Sequence, residues 1–258
     1  MEILDGKLVA KQIVEETEAE ITRLKTSSGK VPGLTVLIVG SDPASEVYVS
    51  SKDKLAQKVG INSRIETLSD QVDEQEIIDK ISQLNADPEV NGILVQLPLP
   101  DQFDTWRILE TLSPEKDVDC FLPGSIGNII LNRTEIFPCT PAGIVRLLDS
   151  YEIQIQGKNV VVLGRSFIVG KPIAAMLTNR NATVTLCHSK TQNLEAHLKG
   201  ADIIVAAIGI PGFVTAEMVK EGAVLVDVGI NRLDKESDIL EMCNDSQIEL
   251  LCIHLRRT

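Results

Sequence analysis

Residues 164–170, with the sequence Gly-Arg-Ser-Phe-Ile-Val-Gly, form the strongest candidate for chemistry in this chain. They follow an apolar run, residues 160–163, and precede a segment with helical periodicity, so the pattern predicts a turn from a strand into a helix. Glycines in such a turn let a pyrophosphate approach free backbone amides at the helix N-terminus. The spacing differs from the G-x-G-x-x-G motif, so an ordinary strand-to-helix turn stays open as the alternative.

The end of the next predicted strand carries hydroxyls and a cation instead of an acid. Dinucleotide folds that hold free ribose hydroxyls place Asp or Glu about 20 residues after the glycine-containing turn. Here residues 186–191 read Leu-Cys-His-Ser-Lys-Thr, and Arg165 lies in the turn itself. Positive charge and hydrogen-bond donors suit a 2′-phosphate, which indicates NADP rather than NAD. A polar surface loop is the alternative interpretation of Ser189 and its neighbours.

Candidates for acid–base chemistry lie in the first half of the chain. Tyr48 and Lys52 are four residues apart on a predicted helix and share one face of it, where a lysine of lowered pKa could act as acid and base. From spacing alone, a solvated lysine beside a half-buried tyrosine is the simpler interpretation. Gln96 follows an apolar run and so lies at the carboxyl end of a predicted strand, where open α/β sheets bind ligands. Asp117 and Asp119 could form a turn, a metal pair or a substrate anchor, and a turn is the default.

Composition limits the possible partners. The 258-residue chain has a formal net charge of −12 and no long run of Lys or Arg, so nucleic acid and anionic membrane surfaces are not expected partners. The five cysteines are odd in number and include no Cys-x-x-Cys pair, so neither a disulfide framework nor a metal site is predicted. No apolar stretch approaches the roughly 18 residues of a membrane span. These features favour a reducing, cytoplasmic setting.

Predicted strands and helices alternate through most of the chain, which predicts an α/β fold with parallel sheets. The composition fits, because hydrophobic residues make up 43% of the chain and aromatic residues only 3%. The first helix is predicted over residues 6–25, with Asp5 as its N-cap. Residues 113–141 are richer in Pro and Gly and are interpreted as loops with a short strand pair. Residues 233–258 contain neither Gly nor Pro, and no element is predicted there.

Several segments together resemble the bifunctional methylenetetrahydrofolate dehydrogenase/methenyltetrahydrofolate cyclohydrolase family. Each matching block is short, but the blocks occur in the family's order over roughly residues 1–232. They are Tyr48-Val49-Ser50-Ser51-Lys52, Val95-Gln96-Leu97-Pro98-Leu99-Pro100, Pro114-Glu115-Lys116-Asp117-Val118-Asp119, Pro138-Cys139-Thr140-Pro141-Ala142-Gly143, Gly164-Arg165-Ser166 with Ile168-Val169-Gly170, Cys187-His188-Ser189-Lys190-Thr191, and Gly229-Ile230-Asn231.

The resemblance implies two α/β domains: an N-terminal αβα catalytic domain, and a C-terminal Rossmann-type NADP domain built on a parallel sheet, with a cleft between them. The expected boundaries are 1–141 for the folate-binding catalytic domain and 142–232 for the NADP domain, followed by an atypical tail, 233–258. In such enzymes NADP⁺ takes a hydride from 5,10-methylenetetrahydrofolate, and water then opens the methenyl cation to give 10-formyltetrahydrofolate. The resemblance also implies a homodimer. Because the cation is already electrophilic, the chemistry requires no metal.

The resemblance further implies a role for each candidate residue. In the catalytic domain, Lys52 matches the lysine that assists hydrolysis, and Tyr48 matches the residue that packs on folate. Gln96 matches the hydrogen-bond partner of that lysine, and Asp119 the carboxylate that holds the pterin. The residues that match cofactor contacts are Gly164, Arg165, Ser166, Ser189 and Ile230, with Thr140 near the nicotinamide.

The sequence departs from the family pattern in three places. Phe167 replaces the polar residue usual in the cofactor turn, and Cys120 stands where glycine is frequent. After Arg232, unrelated sequence replaces the glycine-containing blocks of the family. Those blocks would wall the folate site, so the alternative expectation is a catalytically impaired, NADP-binding paralogue or a truncated form of the enzyme.

Overall fold

The computed structural model describes residues 3–41, 43–210, 212–228 and 249–252. They form two compact α/β units, one covering Ala10–Ile126 and the other the remaining described residues. Each unit is built on a single sheet whose strands all run parallel. The predicted class, an α/β fold of two domains with parallel sheets, is therefore confirmed.

The first unit has a three-stranded sheet in the order β2-β1-β3. The central strand is buried along almost its whole length, because a partner strand covers each of its edges and apolar side chains cover its faces. The elements, in chain order, are α1 (Gly6–Ser28), β1 (Gly33–Val39), α2 (Pro43–Lys58), β2 (Asn62–Leu68), α3 (Glu74–Ala86), β3 (Gly92–Val95), α4 (Thr105–Leu109) and α5 (Pro123–Ile130). The first four residues of α1 and the last four of α5 belong to the second unit.

The second unit has a five-stranded sheet in the order β5-β4-β6-β7-β8. Its last strand lies in residues to which the sequence pattern assigned no element, and it pairs in parallel with β7. The elements, in chain order, are α6 (Cys139–Ser150), β4 (Asn159–Leu163), α7 (Gly170–Asn179), β5 (Thr183–Cys187), α8 (Leu194–Gly200), β6 (Ile203–Ala206), a 3-10 turn (Ala216–Met218), β7 (Val224–Asp227) and β8 (Glu249–Cys252).

Helices cover both faces of this second sheet. Alternate side chains of β4 point to opposite faces, as the two-residue period of a strand requires. Val160 and Val162 join an apolar cluster that includes residues of α6 and α7, whereas Val161 and Leu163 join a second cluster that includes Leu198 of α8. A parallel sheet covered on both faces binds ligands at the carboxyl ends of its strands, where the strand order reverses. That point lies between β4 and β6.

The N-terminal segment packs into the core of the second unit. Leu4 and Val9 belong to the same buried cluster as the residues of α6, β4 and α7. The amide of Asp5 donates a hydrogen bond to the hydroxyl of Tyr151, at 2.5 Å. Asp5 also caps α1 as predicted, because its Oδ1 accepts hydrogen bonds from the amides of Lys7 (2.8 Å) and Leu8 (3.3 Å).

The prediction of loops with a short strand pair is wrong for residues 123–130, which form α5. Gly124 and Gly127 lower the intrinsic helix propensity of this segment, which is why its composition indicated a loop. The helix is stabilised at its start by Asp117, which lies six residues before Pro123. The carboxylate of Asp117 accepts hydrogen bonds from the amide of Leu122 (3.0 Å) and the hydroxyl of Ser125 (2.9 Å).

Candidate functional site

Gly164 directly follows β4 at the point where the strand order of the second sheet reverses. Its amide donates to the carbonyl of Cys187 at the end of β5 (2.9 Å), and the amide of Ala207 after β6 donates to the carbonyl of Leu163 (2.8 Å). The turn is therefore held between the two neighbouring strands. Gly164 has φ of +103°, and a methyl group placed there would lie 2.5 Å from the carbonyl oxygen of Ala207. Only glycine fits this position, so the backbone beside the strand ends is kept bare of side chains.

The N-terminus of α7 is closed by Ser166. The hydroxyl of Ser166 accepts hydrogen bonds from the amides of Val169 (3.1 Å) and Gly170 (3.2 Å), and its carbonyl accepts one from Lys171 (3.0 Å). The next residue, Pro172, has no amide proton. In this structure these amides are therefore bonded within the turn, and the expectation that free amides of this helix meet a phosphate stays a prediction. In this conformation a phosphate must be held by the preceding loop and by side chains.

The turn after β5 presents exposed polar groups beside Gly164. Within it, the hydroxyl of Thr191 accepts a hydrogen bond from the amide of His188 (2.8 Å), and Nδ1 of His188 accepts one from the amide of Lys190 (3.1 Å). Ser189 is exposed at the tip of this turn, and Arg165 is exposed after the neighbouring strand. Since Leu163 pairs with Cys187, these two side chains follow adjacent strand ends. Charge and hydroxyl donors thus meet at one edge of the sheet.

Cys187, which precedes this turn, is fully buried. Burial raises the pKa of its thiol, although a hydrogen bond with Thr191 lowers it. A neutral, buried thiol is unreactive and acts here as a small apolar group.

Two further cofactor predictions have different outcomes. Thr140 is half-buried in the first turn of α6, a helix that packs against α7. Its predicted place near a nicotinamide stays a prediction. Ile230 lies outside the described residues.

In the first unit, α2 carries the predicted acid–base lysine. Val49 is completely buried against Val36, Ile38 and Leu94, which fixes the inner face of this helix on the sheet. Lys52 lies three residues further on, close to that face, and is half-buried. Tyr48 lies one turn before it on the same helix. By contrast, Lys54 is exposed.

Gln96 follows β3, as predicted, and is held at the strand's carboxyl end. Its amide donates to the carbonyl of Leu37 in the neighbouring strand (2.9 Å), and its side-chain Nε2 donates to the carbonyl of Leu97 (2.6 Å). Its side-chain oxygen, Oε1, is buried and accepts no hydrogen bond. The predicted bond from Lys52 to this oxygen is therefore not formed in this structure, yet a buried acceptor without a donor is present where that bond is expected.

The segment that contains Asp119 runs beside β3. Asp117 pairs with Ile93 in a parallel bridge, and the amide of Ile93 donates to the carbonyl of Lys116 (2.8 Å). Asp119 lies two residues after Asp117, and Gln96 lies three residues after Ile93. Because the two bridged segments run in parallel, Asp119 and Gln96 both lie at the carboxyl-end edge of the sheet. Both are half-buried.

Sequence reasoning missed how differently the two aspartates are used. Asp117 is buried and points towards backbone amides and a hydroxyl, which excludes it as an open metal ligand. Ser125, eight residues after it, was the only available sequence signal for this bonding, and it is too common a residue to be informative.

Within the ranges that the structure describes, no group of three His, Cys, Asp or Glu residues is placed to hold a metal ion. No helix in those ranges is long and apolar enough to cross a bilayer.

Two family models match the chain. The tetrahydrofolate dehydrogenase/cyclohydrolase catalytic domain matches residues 4–119, and the NAD(P)-binding domain of the same family matches residues 138–251. The chain is 48% identical over 235 residues to the bifunctional protein FolD of Moorella thermoacetica, covering 91% of this chain and 84% of the relative. It is 46% identical over 247 residues to that of Bacillus subtilis, covering 96% and 86%.

Solved structures of the same family match both units of the chain. The chain matches the bifunctional FolD of Campylobacter jejuni with a TM-score of 0.91 and 42% identity, covering 97% of this chain and 90% of the other. It matches FolD of Trypanosoma brucei, solved with NADP cofactor and inhibitor, with a TM-score of 0.89 and 33% identity, covering 97% and 89%. The likeness therefore extends over nearly the whole of each chain.

Proposed function

The chain belongs to the tetrahydrofolate dehydrogenase/cyclohydrolase family, and we propose that it oxidises 5,10-methylenetetrahydrofolate with NADP⁺ and hydrolyses the methenyl product to 10-formyltetrahydrofolate. The observation that carries this proposal is the presence of both family domains in one chain, together with its similarity to bifunctional relatives over most of its length. This similarity argues against the alternative of an impaired, NADP-binding paralogue.

The turn at the strand-order reversal fits a phosphorylated dinucleotide. Gly164 leaves the backbone open to close approach, and Arg165 and Ser189 are exposed at adjacent strand ends. A guanidinium and a hydroxyl suit a 2′-phosphate, and we assign them that role. Ser166 is assigned to the cofactor phosphates, and Thr140 and Ile230 to the nicotinamide half. When bound there, NADP⁺ supplies the hydride acceptor.

Lys52 is assigned the proton transfers of the hydrolytic step. Loss of a hydride leaves the methenyl carbon cationic, so water can attack it without a metal. The uncharged amine of Lys52 takes a proton from this water as the new C–O bond forms. The resulting ammonium then protonates the ring nitrogen as the C–N bond breaks, and the hydroxyl proton leaves to solvent as the formyl group forms.

The neighbouring polar groups orient these reactants. The buried Oε1 of Gln96, which accepts no hydrogen bond, is suited to receive one from Lys52 when substrate is bound. Such a bond would hold the amine beside the methenyl carbon. We assign Asp119 to the pterin, whose N–H groups pair well with a carboxylate. Tyr48 is assigned to packing against the folate ring.

The test is turnover of 5,10-methylenetetrahydrofolate by the purified chain, with NADP⁺ and NAD⁺ compared. NADPH formation reports the dehydrogenase, and decay of the methenyl absorbance reports the cyclohydrolase. We expect both activities and a preference for NADP⁺. NADP binding without either activity would overturn the proposed function and favour the impaired paralogue.

We also propose that the chain is a homodimer. Ile130, Leu131 and Ile136 are 61%, 62% and 61% exposed. They adjoin an open cavity of about 480 Å³ that is lined by apolar residues such as Phe137 and Met176 and by polar residues such as Asn179. Exposed side chains beside a cavity on one surface allow two copies to exchange contacts about a two-fold axis.

A cytoplasmic location completes the proposal. The five cysteines are odd in number and include no Cys-x-x-Cys pair, a pattern that suits a reducing compartment. Fractionation of cells that express a tagged chain would test the location, and recovery with a membrane or secreted fraction would contradict it.

A further inference from the structure

We propose that Asp117 is a positioning residue that holds Asp119 at the folate site. The inference rests on the proposed function, because it takes Asp119 as the group that binds the pterin. Asp117 itself does not contact substrate in this proposal. It acts through the loop that it shares with Asp119.

The burial of Asp117 is unusual for a carboxylate. Among the side chains that the structure describes, it is the only charged one that is buried, with 5% of its surface exposed. Burying a carboxylate is costly unless hydrogen bonds replace its lost hydration. An aspartate in a turn is ordinarily exposed to solvent. The burial of Asp117 therefore indicates that its carboxylate has a specific structural role.

Three hydrogen bonds replace that hydration. Oδ1 accepts from the amide of Phe121 (3.2 Å), while Oδ2 accepts from the amide of Leu122 (3.0 Å) and the hydroxyl of Ser125 (2.9 Å). The donors all lie beyond Asp119 in the chain. The carboxylate therefore closes a loop with Asp119 inside it.

The other end of the loop is fixed to the sheet. The parallel bridge to Ile93 holds the backbone of Asp117, and Val118 packs so closely on Gly92 that a methyl group there would lie 2.4 Å from it. The ammonium of Lys116 donates to the carbonyls of Leu84 (3.0 Å) and Asp87 (2.8 Å) at the end of α3.

These contacts leave Asp119 and Cys120 as the turn between two anchored ends. Cys120 has φ of +56°, a left-handed conformation that lets the chain reverse there. Since the turn closes on the carboxylate of Asp117, loss of that carboxylate would release the end that leads into α5. The side chain of Asp119 would then be ordered less well at the edge where Gln96 also lies.

The experiment compares Asp117→Asn with Ser125→Ala, Asp119→Asn and the exposed control Glu115→Gln. For each we would measure kcat and KM for 5,10-methylenetetrahydrofolate, its Kd by calorimetry, and the Kd of NADP. Asparagine keeps the size of Asp117 but replaces one acceptor oxygen with a donor. Glu115→Gln removes a charge from the same segment without touching these hydrogen bonds.

We expect Asp117→Asn to raise the folate KM and Kd about tenfold, with kcat changed less than about threefold and the Kd of NADP unchanged. Ser125→Ala should raise the folate KM and Kd about threefold, and Glu115→Gln should change neither. A loss that fell equally on folate and NADP would show a merely structural role and overturn the proposal. If Asp117→Asn does not fold, the Ser125→Ala variant tests the proposal in its place. An unchanged folate Kd in that variant would overturn the positioning role of Asp117.

The two proposals fail in different ways. A wild-type chain that binds folate without turnover would contradict the proposed function, while the folate Kd of the variants would still decide the role of Asp117. A change in folate Kd for Asp119→Asn but not for Asp117→Asn or Ser125→Ala would overturn the positioning role alone. A wild-type chain that binds no folate would overturn both.

Discussion

Gly164 and Ala207 face each other where the strand order of the second sheet reverses, and the space between them admits no side chain. A methyl group on Gly164 would lie 2.5 Å from the carbonyl oxygen of Ala207. That contact is with backbone, which cannot rotate away. The bare surface that a dinucleotide needs is therefore fixed by the pairing of β4 with β6.

Gly164→Ala should destabilise the second unit by about 2–3 kcal/mol, because it adds both a backbone clash and strain at positive φ. We expect a corresponding loss of NADP affinity, measured by calorimetry, and a lower midpoint in urea unfolding. Gly200→Ala is the matched control, since no atom lies within 4 Å of the added methyl group. A Gly164→Ala chain with normal stability and NADP affinity would contradict this account of the turn.

Arg165→Ala should raise the KM for NADP⁺ tenfold or more, by an estimate of about 1.5–3 kcal/mol for a charge-assisted hydrogen bond. The KM for NAD⁺, which lacks the 2′-phosphate, should change little. Steady-state kinetics with both cofactors measures the difference. Lys199→Ala removes a cation that pairs with Glu195 on α8 and should alter neither KM. Equal losses for both cofactors would show that Arg165 does not read the 2′-phosphate.

Lys52→Met should reduce cyclohydrolase turnover at least about a hundredfold, because methionine cannot transfer protons. NADP affinity should stay unchanged, since the cofactor residues lie on other elements. The measurement is the decay of methenyltetrahydrofolate absorbance, corrected for uncatalysed hydrolysis. Lys54→Met, on the exposed side of the same helix, should be nearly fully active. Persistence of full hydrolysis in the Lys52 variant would remove this lysine from the mechanism.

The stability of the second unit should depend on the ionisation of Asp202. This carboxylate accepts hydrogen bonds from Lys220 (2.5 Å) and from the amide of Asn159 (2.8 Å), and these bonds lower its pKa. An aspartate in an unfolded chain titrates at about pH 4, so the stabilisation from ionised Asp202 is complete above that pH. It is lost as the pH falls through the lower pKa of the folded state.

Asp202→Asn should therefore lower the free energy of unfolding by about 1 kcal/mol at neutral pH, a modest value because both charged partners are partly solvated. The difference from wild type should shrink below about pH 4. Urea unfolding at the two pH values measures it. If wild type and Asp202→Asn differed by the same free energy of unfolding at both pH values, the charge of Asp202 would not contribute to stability.

Leu131→Asp should convert the proposed homodimer to monomer, because it places a charge beside the exposed side chains of Ile130 and Ile136. Sedimentation equilibrium gives the mass directly. Leu55→Asp, at another exposed apolar position on α2, is the control and should keep the wild-type mass. A wild-type chain that sediments as a monomer would contradict the dimer itself.

Much of the fold follows from local sequence patterns. The alternation of apolar runs with amphipathic segments predicted the α/β fold with parallel sheets, since buried parallel strands such as β1, β3 and β4 are short and aliphatic. The missed helix, α5, contains two glycines and depends on a cap from Asp117. This cap depends on the conformation of the loop from Asp117 to Leu122, which a search for helical periodicity does not detect.

The candidate site was less accessible to sequence reasoning than the fold. The positions of Gly164 and Gln96 at strand ends followed from the strand pattern, because apolar runs mark where strands stop. The closure of α7 by the hydroxyl of Ser166 could not be predicted, because a serine in such a turn can face either the helix or a ligand. The unbonded Oε1 of Gln96 depends on tertiary packing alone.

The N-terminal segment imposes an order of assembly on the chain. Asp5 and Tyr151 bond across 146 residues, and Leu4 and Val9 are buried among residues of the second unit. This segment is synthesised before α6 and β4, and its apolar side chains gain their partners only when those elements form. The sheet of the first unit can form in the interval from nearer contacts. Closing so long a loop is slow and entropically costly, so we expect the docking of the N-terminal segment to be a late folding event.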